Sequence, residues 1–248
     1  WSVGLESGSA SGWPGADWIQ EIFLKKYGPK LYTDWWQGKL KWTSPQVKDA
    51  FRTWGQIVAD PKMTYGGNQY ELSTNFGSAF TPVFQTPPNA YFHEQASFIQ
   101  SFIQKAFPSL QSGSDFSFFA FPSIDPRYAN AVQMAGNLVS EFNKTPQAEA
   151  FVRYFASAPA QAYWVRAADA LSPNRAVPLS DYPGTLFKEA GKILTSATIA
   201  QFSADDLMPS QMESAFWSAV MSYVQNPGQL DAILTHLDQV QQSAYKNS

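Results

Sequence analysis

Gly4-Leu5-Glu6-Ser7-Gly8-Ser9-Ala10-Ser11-Gly12-Trp13-Pro14-Gly15-Ala16-Asp17-Trp18 places two indoles, two carboxylates and a run of small turn-forming residues at the start of the chain. A pyranose offers an apolar C–H face for an indole to stack on and a rim of hydroxyls for a carboxylate to accept from, so these residue types suit a sugar-gripping loop. The same residues also suit a Gly-rich turn leading into a helix, with the indoles in the core. Residue types alone leave both readings open.

Outward from this loop, the chain has 248 residues, enough for one large core or two modest ones. Net charge is −3 and only 15% of residues are charged, so no basic field exists for a nucleic-acid backbone. Aromatic residues reach 16%, with nine Trp, which favours a surface that recognises rings or sugars. The absence of Cys excludes disulfides and thiolate chemistry. The two histidines, His93 and His236, lie far apart, and no HExxH or Walker-type loop is present, so neither a metal nor another cofactor is expected. No internal repeat and no apolar run of membrane-spanning length interrupts the chain. It starts with Trp1 and runs at once into a strand-like Ser2-Val3-Gly4-Leu5, which reads as part of a longer chain.

Helix signals dominate. Asp17 reads as the N-cap of a helix over residues 18–27, stopped by Gly28-Pro29. Ser44-Pro45 opens a second helix, with Val47, Phe51, Trp54, Ile57 and Val58 at helical spacing, and Trp54 reads as core. Further helices are expected over residues 96–107, after Thr145-Pro146, after Pro159, over 183–195, over 209–225 and after Asn226-Pro227. Strands are few: Ala90-Tyr91-Phe92-His93, a buried run at 116–121, and a weaker candidate at 132–142.

Several residues invite a functional reading. In Phe216-Trp217, burying Phe216 turns the indole about 100° away, toward a cleft or along the core edge. Asp205-Asp206 precedes a helix, where one of the two is explained by capping alone. Glu94-Gln95 follows an apolar segment at a position where α/β folds place ligands, or else forms a polar turn. His93 reads as packed or exposed rather than catalytic, and Glu6 with Asp17 would be an acid–base pair for glycoside hydrolysis only at a suitable separation.

Taken together, Gly4-Leu5-Glu6-Ser7-Gly8, Gly12-Trp13-Pro14, Asp17-Trp18, Gln95-Ala96-Ser97-Phe98-Ile99, Phe118-Phe119-Ala120-Phe121-Pro122, Leu171-Ser172-Pro173-Asn174, Asp205-Asp206-Leu207-Met208-Pro209 and Ala215-Phe216-Trp217 resemble the extracellular solute-binding proteins of carbohydrate ABC transporters. The nearest branch is α-glucoside-type and distantly maltose-binding-protein-like, and the blocks stand in family order across nearly the whole chain. The resemblance implies a type II periplasmic-binding-protein-like α/β fold of two lobes, in which a sugar or oligosaccharide is held in the cleft and the closed form is presented to a membrane permease. It implies that residues 1–117 belong to the second lobe, 118–172 to a crossover and the first lobe, and 173–248 to a helical return to the second. The opening portion of the N-terminal lobe would then be missing, leaving apolar surface on the middle helices that favours self-association.

Carried over position by position, Glu6 matches a hydroxyl-binding acid and Trp217 a sugar-stacking indole, with Trp13, Glu94, Gln95 and Asp206 as further cleft residues. Departures from the family pattern are Ser203 and Asn137, each where Asp is usual, and Ala167-Ala168-Asp169-Ala170, where a Gly pair is usual. They bear on ligand identity. The implied location is extracellular or periplasmic, with lipid anchoring of a full-length form, and the implied activity is binding without catalysis. A glycoside-processing enzyme and a sensory or structural module are the alternatives.

Overall fold

The computed structural model describes residues 1–168 and 170–246. Asp169, in one of the divergent blocks, lies outside the described residues. The chain resolves into two compact units: Trp1–Gln95, Phe121–Ala135 and Thr198–Ser248 form the larger, and Ala96–Ala120 with Gly136–Ala197 the smaller.

The larger unit is built on helix α1, Trp13–Trp36, which starts five residues earlier than the sequence suggests. Asp17 is therefore inside the helix and does not cap it; Gly12, at φ +107°, is the cap residue, and Pro14 occupies the first turn, where its missing N–H costs nothing. Gly28-Pro29 kinks this helix instead of ending it, with Gly28 at φ +79°. Helix α2, Pro45–Val58, is entered as expected: the Ser44 hydroxyl accepts from the Val47 amide, and Val47, Phe51, Trp54 and Val58 are buried along one face. Helices α8, Ser210–Gln225, and α9, Leu230–Ala244, pack along one another, and α8 also packs on α1 and on the short α3, Gly67–Ser73.

Between these helices lies an aromatic lattice. Trp35 meets Trp42 edge-on at 5.1 Å, Trp42 meets Phe216 at 4.9 Å, and Phe51 meets Tyr223 at 5.6 Å. Trp18, Trp35, Trp42 and Trp54 are buried, and Trp1, Trp36 and Trp217 pack against the same core. Most of the tryptophan surplus is thus spent on packing, which corrects the inference from composition: an indole buries more apolar area than any other side chain and fills the wide spaces between helices.

The sheet is small. Strands β1, Ala131–Met134, and β2, Ile199–Phe202, pair in parallel, from Ala131 opposite Ile199 to Met134 opposite Phe202. β1 is much shorter than the run expected at 132–142, and Leu138 and Phe142 are 81% and 99% exposed. The expected buried strand at 116–121 is absent: Phe116 makes one isolated bridge to Ser112, and Phe119 is 60% exposed. At 90–93 a single bridge joins His93 to Ser2. A strand forms only where a neighbour satisfies its backbone, and an apolar run cannot supply that neighbour itself.

The smaller unit contains α4 (Ile99–Ala106), α5 (Pro146–Phe155), α6 (Ala158–Ala168) and α7 (Gly184–Ser196). Its core is modest, comprising Ala162, Val165, Val177, Tyr182 and Phe187. Phe151, Tyr154, Tyr163 and Trp164 of α5 and α6 are exposed. Thr145 starts α5 as expected, its hydroxyl accepting from the Ala148 amide at 3.1 Å. Thr145→Ala is expected to cost about 1 kcal/mol, read as lowered hydrogen-exchange protection confined to the α5 amides.

Candidate functional site

The site is assembled on the larger unit, from the opening loop upward. The backbone of the loop is stitched in place: Leu5 N–H donates to the Glu71 carbonyl at 2.8 Å, Glu6 N–H to Thr74 at 3.0 Å, and Gly12 N–H to Leu5 at 2.8 Å. Glu6 is then held by its own side chain. One carboxylate oxygen accepts from Gly8 N–H at 2.7 Å and the other from the Asn75 amide at 2.8 Å, and these bonds hold its pKa below the usual carboxylate range. Glu6 is thus a fixed, ionised acceptor, and carboxylate oxygens retain lone pairs for further donors.

Trp13 is half-buried and meets the Phe76 ring edge-on at 5.1 Å. Its neighbour Gly12 presses against α8: a Cβ there would stand 2.8 Å from the Trp217 carbonyl carbon and closer still to its oxygen. The fold therefore brings the Gly12-Trp13 turn and Trp217 together. Phe216 is fully buried and Trp217 half-buried, as the one-residue offset on α8 requires.

The Trp217 indole is anchored by a residue that the sequence reading passed over. Its Nε1–H donates to Asp205 Oδ2 at 2.7 Å. Asp205 is buried, whereas Asp206 is exposed and gives its backbone N–H to Asp205 Oδ1 at 3.1 Å. Burial and the Asp205 charge raise the Asp206 pKa. Neither acid caps α8, whose first turn follows Pro209 without a side-chain cap. The available signal was position: Asp205 stands three residues beyond β2, where a strand end delivers side chains to a ligand-facing edge.

Behind Asp205 lies a polar cluster also missed from sequence. Ser203 Oγ is 2.7 Å from Asp205 Oδ1 and 2.9 Å from Asp17 Oδ1, and Gln133 Nε2 donates to Asp17 Oδ1 at 2.8 Å. Asp17, on α1, is pushed up to about 8, first by burial and then by the Asp205 charge. Glu94 is half-buried and likewise raised to about 8, by burial and then by the charges of Asp17 and Glu21, so it faces the same cluster. Gln95 is half-buried at the end of this segment. His93 donates from Nδ1 to the Ser2 carbonyl at 2.9 Å and is held below its usual pKa by burial, so it is neutral and structural.

Glu6 and Asp17 are committed to separate partners, and no bond among the described residues joins them. The described residues also contain no group of His, Cys, Asp and Glu able to hold a metal ion. What the arrangement offers is a fixed anionic acceptor and an indole anchored through its N–H.

The chain is similar to two curated proteins named for what they bind. An osmoprotective compounds-binding protein of Synechocystis sp. is 32% identical over 225 residues, 90% of this chain and 52% of that protein. An alpha-glucosides-binding periplasmic protein of Rhizobium meliloti is also 32% identical, over 90% of this chain and 49% of its own length. Over nine tenths of its length the chain is therefore similar to proteins named for binding small solutes. Two solved structures share the fold of this chain. A chitin oligosaccharide binding protein superposes over 99% of it and 60% of that structure, with a TM-score of 0.75 at 19% identity. The bacterial solute receptor AcbH, described as exclusively preferring β-D-galactopyranose, covers 96% of the chain and 58% of its own, with a TM-score of 0.71 at 16% identity. No family model matches. The chain spans about half the length of the curated relatives it matches.

Proposed function

We propose that this chain forms one wall of the sugar site of a solute-binding protein that serves an ABC importer. Glu6 would accept hydroxyls, Trp217 would stack on a sugar ring, and Trp13, Glu94, Gln95 and Asp206 would complete the wall. The observation that carries this reading is Trp217 fixed by Asp205 directly against the opening loop, with Glu6 held by Asn75 and Gly8 in that loop. Its two relatives are both named for binding compounds, one of them α-glucosides.

In a protein of the relatives' length, a second lobe would close over the ligand, and the closed form would be what the permease subunits recognise. The larger unit, Trp1–Gln95, Phe121–Ala135 and Thr198–Ser248, would then lie in one lobe and the middle helices α5 and α6 in the other. The exposed Phe151, Tyr154, Tyr163 and Trp164 would be the surface that the rest of that other lobe covers, or that pairs with a second copy when the rest of the lobe is absent. Location would be extracellular or periplasmic, with a lipid anchor on the full-length form.

The test is calorimetric titration of a panel of α-glucosides into the chain extended to the relatives' length. Trp217→Ala is expected to weaken binding about tenfold, the scale of one ring–indole contact near 1.5 kcal/mol. The 248-residue chain alone is expected to give a weak or absent response. A micromolar response from it would show that one wall suffices; unchanged affinity in Trp217→Ala would remove the indole from the site.

A further inference from the structure

Ser203 lies where three elements converge: α1 brings Asp17 and Gln20, β1 brings Gln133, and the turn after β2 brings Asp205. Its hydroxyl is 2.7 Å from Asp205 Oδ1, 2.9 Å from Asp17 Oδ1, 3.2 Å from Gln20 Oε1 and 3.2 Å from Gln133 Nε2. Three of these four neighbours are acceptors unless protonated, and a serine hydroxyl has one hydrogen to give.

The hydrogens can be placed one by one. Gln133 uses one amide hydrogen on Asp17 Oδ1, at 2.8 Å, and the other on Ser203 Oγ. Gln20 Oε1 takes the Ala204 N–H and shares the Tyr32 hydroxyl at 3.1 Å. The Ser203 hydrogen goes to the nearest acceptor, Asp205. The 2.9 Å approach of Asp17 to Ser203 is then a hydrogen bond only if Asp17 carries a proton and donates it. Asp205 is the better anion of the two, because the Trp217 indole N–H, the Asp206 amide and Ser203 all donate to it.

We propose that Asp17 and Ser203 are positioning residues for Trp217: a proton held on Asp17 orders the chain Asp17–Ser203–Asp205 and so fixes Asp205 as the anion that grips the indole N–H. Ionising Asp17 sets two carboxylates against one hydroxyl hydrogen, and Asp205 loses its sole claim on it. The grip on Trp217 then loosens.

The charged surroundings are acidic apart from Lys25. Asp205 and Asp206 from the turn after β2 raise the Asp17 pKa. Glu94, from the 90–95 segment, feels the Asp17 and Glu21 charges, and Glu213 on α8 feels Asp205 and Asp206. β1 contributes only the neutral Gln133. The neighbouring cation on α1, Lys25, is 3.7 Å from Glu21 and donates to the carbonyls of Ala129 and Ala131. Burial and these charges together place the Asp17 midpoint at about 8. The consequence for sugar affinity rests on the function proposed above; the grip on the indole does not.

The experiment follows the indole N–H signals of the ¹⁵N-labelled chain between pH 6 and 9.5, with Trp217 assigned through Trp217→Phe. Its signal is expected to move with a midpoint near 8. Asp17→Asn and Ser203→Ala should each abolish the movement, and Ser203→Thr should restore it. A wild-type Trp217 signal that does not move, or one that still titrates in Asp17→Asn, overturns the proposal. Should Asp17→Asn fail to fold, the ¹³C shift of the wild-type Asp17 carboxyl reads the proton directly, and an ionised carboxyl at pH 6 overturns the proposal equally. Loss of sugar binding on pH jump without any Trp217 shift would count against the proposal; a Trp217 shift in a chain that binds no sugar in any form would count against the sugar reading alone.

Discussion

Gly12→Ala is expected to destabilise the chain by about 2–5 kcal/mol, read from the urea midpoint of unfolding. Two costs add. Gly12 sits at φ +107°, which an L side chain adopts at about 1–2 kcal/mol. The new Cβ would also overlap the Trp217 carbonyl, with that carbon only 2.8 Å away. This obstacle is helix backbone, which cannot swing aside as a side chain can, so α8 must move or the loop must detach, at a further cost of about 1–3 kcal/mol. Movement of α8 carries Trp217 with it, and the loop is tied through the Gly12 N–H to Leu5, next to Glu6. The same substitution is therefore expected to broaden or shift the Trp217 indole signal. A midpoint within error of wild type would show that the loop stands off from α8 in solution.

Thermal stability is expected to be highest near pH 5 and to fall as pH rises through 8, by on the order of 3 kcal/mol or more. Asp17 and Glu94 are raised to about 8 and Glu71 to about 7, in each case chiefly by burial. An unfolded Asp or Glu gives up its proton near pH 4. Between those values the native chain holds more protons than the unfolded one, so raising the pH favours unfolding. The stabilisation is whole below the unfolded pKa and is lost as pH climbs through the native one. His93, whose pKa is depressed by burial, acts in the opposite sense around its ordinary value but is a single group. Below pH 4 the lowered carboxylates of Glu6, Asp49, Asp125 and Asp231 lose their partners, which sets the acid limit. Asp17→Asn and Glu94→Gln should each flatten the alkaline decline. A melting temperature that rises steadily from pH 5 to 9 would contradict the buried, protonated state of these groups.

Local chemistry made much of the helical framework legible. Ser44-Pro45 and Thr145-Pro146 announce helix starts because a side-chain acceptor followed by a residue without an N–H satisfies the first turn within a few positions. The apolar face of α2 is legible for the same reason, since its period is written in consecutive residues. Asp17 shows the limit: its type suits a cap, but a positive-φ glycine five residues earlier had already begun the helix. The 116–121 and 132–142 runs show it again, because β-branched and aromatic residues describe a willing strand and say nothing of a partner. β2 passed unnoticed, four residues whose pairing with β1, as of Ala131 with Ile199, spans nearly seventy positions of chain.

By itself the sequence determined the helix-rich α/β class and, through the order of its blocks, a resemblance to solute-binding proteins. Only the tertiary structure decided that Asp205 rather than Asp206 holds the indole, that most tryptophans are core, and that Asp17 lies beside a second carboxyl where it keeps its proton. The division has one physical reason. Turns, caps and helical periods are set by neighbours in the chain, whereas strand pairing, desolvation and the sharing of a proton are set by groups that the chain brings together from far apart.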